Sequence, residues 1–326
     1  MTFLRLCCVL AAGAVLFAGG GTAAAQTAGY PAKPIRFLVG VAPGGGTDFV
    51  ARLIGLKLTE RFGQPVITDN RTGATGTIAL EMVAKAAPDG YTFAVFNIGH
   101  LTAALLARTR RIDPARDFAP VGQIATGTLM LGLNAGVPAK TLDQFISYAR
   151  TRPGKLNYGS GGQGSTQQLA MELLKHETHI DLVHVPYKGT GPIAVDLVAG
   201  QIQAAISNLL GLYPHVKAGR LTALAVVSNT RNALAPEIPT ISELGYPKVQ
   251  TDLWQAMLAP AKTPPAIVEK ISRAIAEIVH EPDVVQKLAS QGGGPAGTSP
   301  REFAKFLKDE SEKWLTLAKE VNVTAD

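Results

Sequence analysis

From residue 35 onward the chain alternates short β-branched, apolar runs with stretches whose apolar positions recur at helical spacing, and this alternation confines it to one class of fold. Strand-like residues 35–40 precede helix-like residues 48–62, and 66–69 precede 76–87. The rhythm repeats as strand 129–133, helix 142–150, strand 156–158, helix 165–176, strand 182–185, helix 192–199 and strands 202–206 and 221–227. Strands that alternate with helices build layered α/β units, each a mostly parallel sheet flanked by helices. Two such units follow one another.

The end of the chain breaks the rhythm, with helix signals over 266–279 and 299–321. Ser299-Pro300-Arg301-Glu302 has the form of a capping box with proline in the first turn. Phe303, Phe306, Leu307, Trp314, Leu317, Ala318 and Val321 then recur at helical spacing. Such a stripe has to be buried, and the first unit is expected to receive it. The Pro/Gly-punctuated stretch 236–245 and strand-like 253–259 carry the chain back there. Residues 26–126 with 252–326 are therefore expected to form one discontinuous domain, with 127–251 inserted as a second. The cleft between them is the expected ligand site, because small molecules favour crevices between domains.

Two glycine-rich loops fall where a strand ends and a helix begins. The first is Val39-Gly40-Val41-Ala42-Pro43-Gly44-Gly45-Gly46-Thr47-Asp48. Its glycines let backbone N–H groups turn toward a ligand, and the partial positive charge of the helix start favours an anion. It has no lysine, so it fails the pattern that cradles nucleotide phosphates. Asp48 reads as an N-terminal cap, with Arg52 one turn on for an ion pair.

The second loop is Asn157-Tyr158-Gly159-Ser160-Gly161-Gly162-Gln163-Gly164-Ser165-Thr166. Gly159, Gly161 and Gly164 satisfy G-x-G-x-x-G, but the next strand ends Val183-His184-Val185-Pro186-Tyr187 without the acid a dinucleotide site requires. Ser160 makes no hydrolase elbow, because Tyr158 stands where that motif needs glycine. What is left is a second cradle of amides and hydroxyls able to donate to carboxylate oxygens. Neither loop carries Arg or Lys at its tip, so recognition is expected to use neutral donors.

The cluster His176, Glu177, His179, Asp181 and His184 departs from H-E-x-x-H spacing and reads as a solvated helix end, with no metal assigned. No nucleophile–base pair or cofactor motif is evident, so neither an enzyme nor a cofactor is expected.

The chain opens Met1-Thr2-Phe3-Leu4-Arg5, continues through an apolar run to Phe17, and reaches Ala23-Ala24-Ala25 after Gly19-Gly20-Gly21. That is the form of a secretory leader, with cleavage expected after Ala25. Both cysteines, Cys7 and Cys8, leave with it, so no disulfide is expected. The formal net charge of +6 is spread without a Lys/Arg-rich run, which argues against nucleic acid as a partner.

Several stretches together resemble the tripartite tricarboxylate transporter receptors, the Bug solute-binding proteins. They are Tyr30-Pro31-x-Lys33-Pro34-Ile35, Ala42-Pro43-Gly44-Gly45-x-x-Asp48-x-x-Ala51-Arg52, Pro88-Asp89-Gly90-Tyr91, Val185-Pro186-Tyr187-Lys188-Gly189 and Leu258-Ala259-Pro260. The resemblance implies a type II-like two-domain periplasmic binding fold that closes on a small carboxylate and delivers it to a membrane permease. It implies a monomer working in the periplasm. Signalling to a membrane sensor by the loaded protein is the alternative use of the same fold.

Carried over by position, the implied contacts are Ala42, Gly44, Gly45, Thr47 and Asp48 from the first loop. Those from the second are Ser160, Gly161, Gln163, Gly164 and Ser165. Many relatives have Phe-Asp where this chain has Ile206-Ser207, His where it has Gln168, and an aromatic-Gly pair where it has Gln255-Ala256. By analogy these positions lie at or near the cleft, Ser207 among the contacts, and they bear on which carboxylate is bound.

Overall fold

The computed structural model describes residues 29–107, 112–114, 116–187 and 189–320. The leader with its cleavage point, Lys188 and Val321 lie outside the described residues. The first half of the chain builds β1 (Ile35–Val39), α1 (Gly46–Phe62), β2 (Val66–Asn70), α2 (Thr77–Ala84), β3 (Thr92–Asn97), α3 (Ile98–Leu106) and β4 (Phe118–Asn134). There follow α4 (Leu142–Arg150), β5 (Leu156–Ser160), α5 (Thr166–Thr178), β6 (Leu182–Pro186), α6 (Thr190–Ala199), β7 (Ala204–Asn208), α7 (Leu209–Lys217) and β8 (Leu221–Val226). The chain ends with β9 (Asp252–Pro260), α8 (Pro265–Ile278), α9 (Pro282–Ser290), β10 (Gly293–Pro295) and α10 (Pro300–Glu320).

One sheet runs through the molecule in the order β2-β1-β3-β9-β4-β7-β5-β6, with β10 and β8 also paired to β4. Three parallel strands stand at each end, β2-β1-β3 and β7-β5-β6. The antiparallel members are β8, β10 and the two strands between the halves, β4 and β9. The sheet is thus mixed, with parallel character confined to its ends.

Strand directions fix where a site can form. β3 is antiparallel to β9 and β9 to β4, so β1–β3 run the same way as β4, toward the second half. β7 is antiparallel to β4, so β5–β7 run back toward the first half. The carboxyl ends of both parallel sets therefore face each other across the connecting strands. Crevices outside the carboxyl ends of parallel strands are where open α/β sheets bind ligands.

β4 is much longer than the short strand expected at 129–133. Pro120 and Gly122 look like strand breakers, but the pairing with β9 shifts register between Pro120 and Gly122 and again between Gln123 and Ala125. Bulges of this kind absorb residues that a regular ladder would reject.

The C-terminal stripe packs through Phe303, which meets Phe96 of β3 at 6.3 Å and Trp254 of β9 at 6.2 Å between ring centroids. Trp254 and Trp314 are both fully buried, and both indole N–H groups donate to Glu310 Oε2, at 3.2 and 3.0 Å. At the start of α10, Ser299 N donates to Glu302 Oε2 at 2.9 Å and Glu302 N donates to Ser299 Oγ at 3.3 Å, so both arms of the expected capping box form.

Candidate functional site

The first loop is braced from within. Gly44 adopts a left-handed φ of +86°, which glycine takes without steric cost. Its N–H donates to Asp48 Oδ2 at 2.9 Å. Asp48 does not occupy the cap position. The N-cap is Gly45, which offers no side chain, and Asp48 sits in the first turn and reaches back to the loop. The same carboxylate accepts from Arg52 Nε at 3.0 Å and from Asn70 Nδ2 at 2.8 Å. Burial acts to raise its pKa, but these hydrogen bonds and the Arg52 charge outweigh burial and hold it below the usual carboxylate value. Asp48 is therefore a buried, fully engaged bracket. Ala42 and Gly44 lie exposed at the rim, whereas Thr47 is buried.

Thr47 joins this loop to a junction that the sequence patterns did not reveal. Asn97, the last residue of β3, donates through Nδ2 to Thr47 Oγ1 at 2.8 Å. Its Oδ1 also caps α3 by accepting from His100 N at 3.1 Å, while His100 Nδ1 accepts from Asn97 N at 3.2 Å. With Nδ1 accepting, the imidazole carries its proton on Nε2. Burial pushes the His100 pKa down to about 4, so the ring is neutral at physiological pH. His100 packs directly on Gly76, where any β-carbon would overlap the ring, and a β-carbon at Gly40 would stand 2.5 Å from Gly76 Cα.

The second loop is organised around His184, which lies on β6 within the strand expected at 182–185. It is separate from the solvated helix end with which sequence spacing groups it, half-buried and stacked on Tyr158 with centroids 5.0 Å apart. Parallel pairing of β5 with β6 sets Tyr158 opposite His184, which brings the ring under the loop. His184 Nε2 lies 2.6 Å from Ser160 Oγ, and its Nδ1 lies 3.3 Å from Gln168 Nε2. Gln168 Oε1 is committed to Gly164 N–H at 2.7 Å, so the amide presents its NH2 to Nδ1. Nδ1 then accepts, Nε2 carries the proton, and Nε2 donates to Ser160 Oγ. A catalytic serine needs the reverse arrangement, with Nε2 accepting and a carboxylate on Nδ1. The pair is a loop brace.

Ser165 caps α5, accepting from Gln168 N at 3.3 Å. Gly164 is buried, Gly161 is half-buried against Gln167, and Gln163 is exposed. Ser207 is fully buried at the end of β7 and donates to Thr190 Oγ1 at 3.0 Å, so it belongs to the neighbouring strand-to-helix junction.

The two loops meet through α3. Thr102 Oγ1 donates to Gly164 O at 2.9 Å. Thr166 Oγ1 stands 3.8 Å from the place a β-carbon on Gly99 would occupy. The first turns of α1, α3 and α5 are thereby brought side by side. Thr166 is 1% exposed, and its Oγ1 is the one buried side-chain N or O atom among the described residues that lacks a hydrogen-bond partner. Leaving a buried hydroxyl unpaired costs about 1–3 kcal/mol. Each helix start adds partial positive charge, and none of the three first turns carries a Lys or Arg.

Comparison with known proteins places the chain in a family. The tripartite tricarboxylate transporter family receptor profile matches residues 50–323. The chain is 35% identical to the protein BugT of Bordetella pertussis over 327 residues, covering 98% of each. Among solved structures it is similar to R. palustris Rpa4515 with adipate, at 36% identity and a TM-score of 0.83, over 90% of this chain and 99% of that one. It is also similar to MatC from Rhodopseudomonas palustris with bound malate, at 32% identity and a TM-score of 0.80, over 88% of this chain and 99% of that one.

Proposed function

The chain belongs to the tripartite tricarboxylate transporter receptor family, and from that premise we propose that it captures a small carboxylate between two lobes and delivers it to a membrane permease of the tripartite type. It is a solute-binding receptor and not an enzyme. In this reading residues 26–126 with 252–326 form one lobe and 127–251 the other. The leader is removed after Ala25, and the mature protein works as a monomer in the periplasm.

The observation that carries the proposal is the junction of α1, α3 and α5 around the unpartnered Thr166 hydroxyl. A carboxylate oxygen there would satisfy that donor and the partial positive charge of all three helix starts. Thr47, Gly45, Gly164 and Ser165 supply the immediate walls. Ala42, Gly44, Ser160, Gly161, Gln163 and Ser207 shape the surrounding loops, and Asp48 holds the first loop in place. The adipate and malate in the similar structures support the ligand class.

A thermal-shift screen of the mature protein against adipate, malate, other di- and tricarboxylates, aromatic acids, sugars and amines tests the reading. A ligand that binds only the folded state at a hundred times its Kd adds about 2.7 kcal/mol of stability. A carboxylate is expected to raise the midpoint. A shift with sugars or amines and none with any carboxylate would overturn the assignment.

A further inference from the structure

His184 holds the second loop by two arms. One runs from Nε2 to Ser160 Oγ at 2.6 Å, and that hydroxyl donates to Gly162 O at 3.1 Å and accepts from Gly162 N at 3.2 Å. The other runs from Nδ1 through Gln168, whose Nε2 lies 3.3 Å away and whose Oε1 accepts from Gly164 N–H at 2.7 Å. Gly164 also offers its carbonyl to Thr102 of α3, so the second arm ends on the residue that ties the loop to the first half of the sheet.

The two arms answer differently to a proton. Neutral imidazole has one donating and one accepting nitrogen, and here both are in use, whereas the imidazolium has two donors. Nε2–H keeps its bond to Ser160 in either state. A proton on Nδ1 would face the Gln168 NH2, donor against donor. Gln168 can turn its oxygen to the ring only by withdrawing it from Gly164 N–H. The charged and titratable groups that face the ring are Tyr158 of β5 and Glu172 and Lys175 of α5. Burial keeps Tyr158 protonated, and its hydroxyl donates to Glu172, which also accepts from Lys175. Burial pushes the His184 pKa below its ordinary value of 6.5, with Glu172 opposing the shift and Lys175 reinforcing it.

We infer that His184 is a positioning residue for ligand capture, holding Gly164 through Gln168 only while its ring is neutral, so that protonation frees this arm of the loop and weakens binding. The inference rests on the carboxylate reading for what is bound. The proton response itself rests on the loop alone. Because the neutral ring is the holding form, affinity should be greatest near neutral pH and fall on mild acidification.

An NMR titration of the ligand-free mature chain from about pH 7.5 to about pH 5 spans the imidazole range and follows the His184 ring and the Gly164 amide. The amide is expected to shift with the His184 midpoint, and to stay in place in His184→Asn, which keeps an acceptor near Nδ1 and takes up no proton. A Gly164 amide indifferent to the His184 titration overturns the inference whatever the ligand is. Calorimetry with adipate and malate supplies the second measurement. Over the same range their Kd should rise roughly fivefold more in the wild type than in His184→Asn, as for the loss of one hydrogen bond. The variant also subtracts protonation of the acids themselves. Equal pH dependence in the two proteins overturns the inference. His184→Phe keeps the stack on Tyr158 but loses both arms, so it should bind more weakly at neutral pH, and wild-type affinity there would remove the positioning role. If neither these acids nor any other carboxylate binds, the carboxylate reading falls, while the NMR titration still decides the proton response.

Discussion

Thr102 and Gly164 are joined by a 2.9 Å hydrogen bond that ties α3, in the first half of the sheet, to the loop that opens α5 in the second. Thr102 is fully buried, so water cannot replace the bond. Thr102→Val keeps the volume and removes the donor, leaving the Gly164 carbonyl short of a partner. The joined arrangement should lose about 1–3 kcal/mol. The Kd of a bound carboxylate, measured by calorimetry, is expected to rise roughly tenfold or more, since each 1.4 kcal/mol is a factor of ten. An unchanged Kd would show that closure does not use this contact.

Asp48→Asn removes a charge without changing shape. Because the folded-state pKa of Asp48 is lowered, its contribution to stability is complete above the unfolded value near 4 and fades as pH falls through the folded value. The variant is expected to melt earlier than the wild type at pH 7. The gap should narrow progressively below about pH 4. A gap that stays constant down to pH 2 would contradict the bracket role.

His100 gives stability the same dependence on proton uptake, in a higher pH window. The unfolded chain protonates this imidazole near pH 6.5, whereas the folded chain resists until about pH 4. Stability should therefore fall on acidification across that window, by roughly 3 kcal/mol if His100 alone is counted. His184, also pushed down by burial, adds to the same slope. Melting curves of wild type and His100→Gln between pH 7 and pH 4 should converge. A parallel decline of the two would assign the slope elsewhere.

Gly45 and Gly46 separate loop integrity from access to the site. A β-carbon at Gly45 would stand 3.2 Å from Val41 Cγ2 and 3.3 Å from Ala42 O, crowding the loop itself. At Gly46 it would meet nothing within 4 Å. Gly46→Val should therefore leave the melting temperature near that of the wild type while weakening carboxylate binding, read by thermal shift and calorimetry. Full affinity in that variant would remove the start of α1 from the site.

Both glycine loops were legible in the sequence because their signals are local: a strand, then glycines, then a helix start. The β3–α3 junction was not. Asn97 is at once the end of the strand and the cap of the helix, and Ile98 follows without a glycine or proline to mark the change. Its capping box also uses His100 where glutamate or glutamine is usual. The His184–Ser160 contact spans 24 residues and exists only because β5 and β6 pair in register, which no spacing rule conveys. Asp48 was readable as a helix-start residue, but its reach back to Gly44 depends on the loop's own conformation.

The packing of Gly40 on Gly76 and of Gly76 on His100 links three segments remote in sequence, and it sets how this protein can vary. None of the three positions has a free choice while the other two are fixed. A larger residue at Gly76 becomes tolerable only when the imidazole is replaced by something smaller, and a side chain at Gly40 only when the turn at Gly76 moves away. Substitutions here should be strongly non-additive, so diversification aimed at new ligands would have to change the trio jointly or leave it intact.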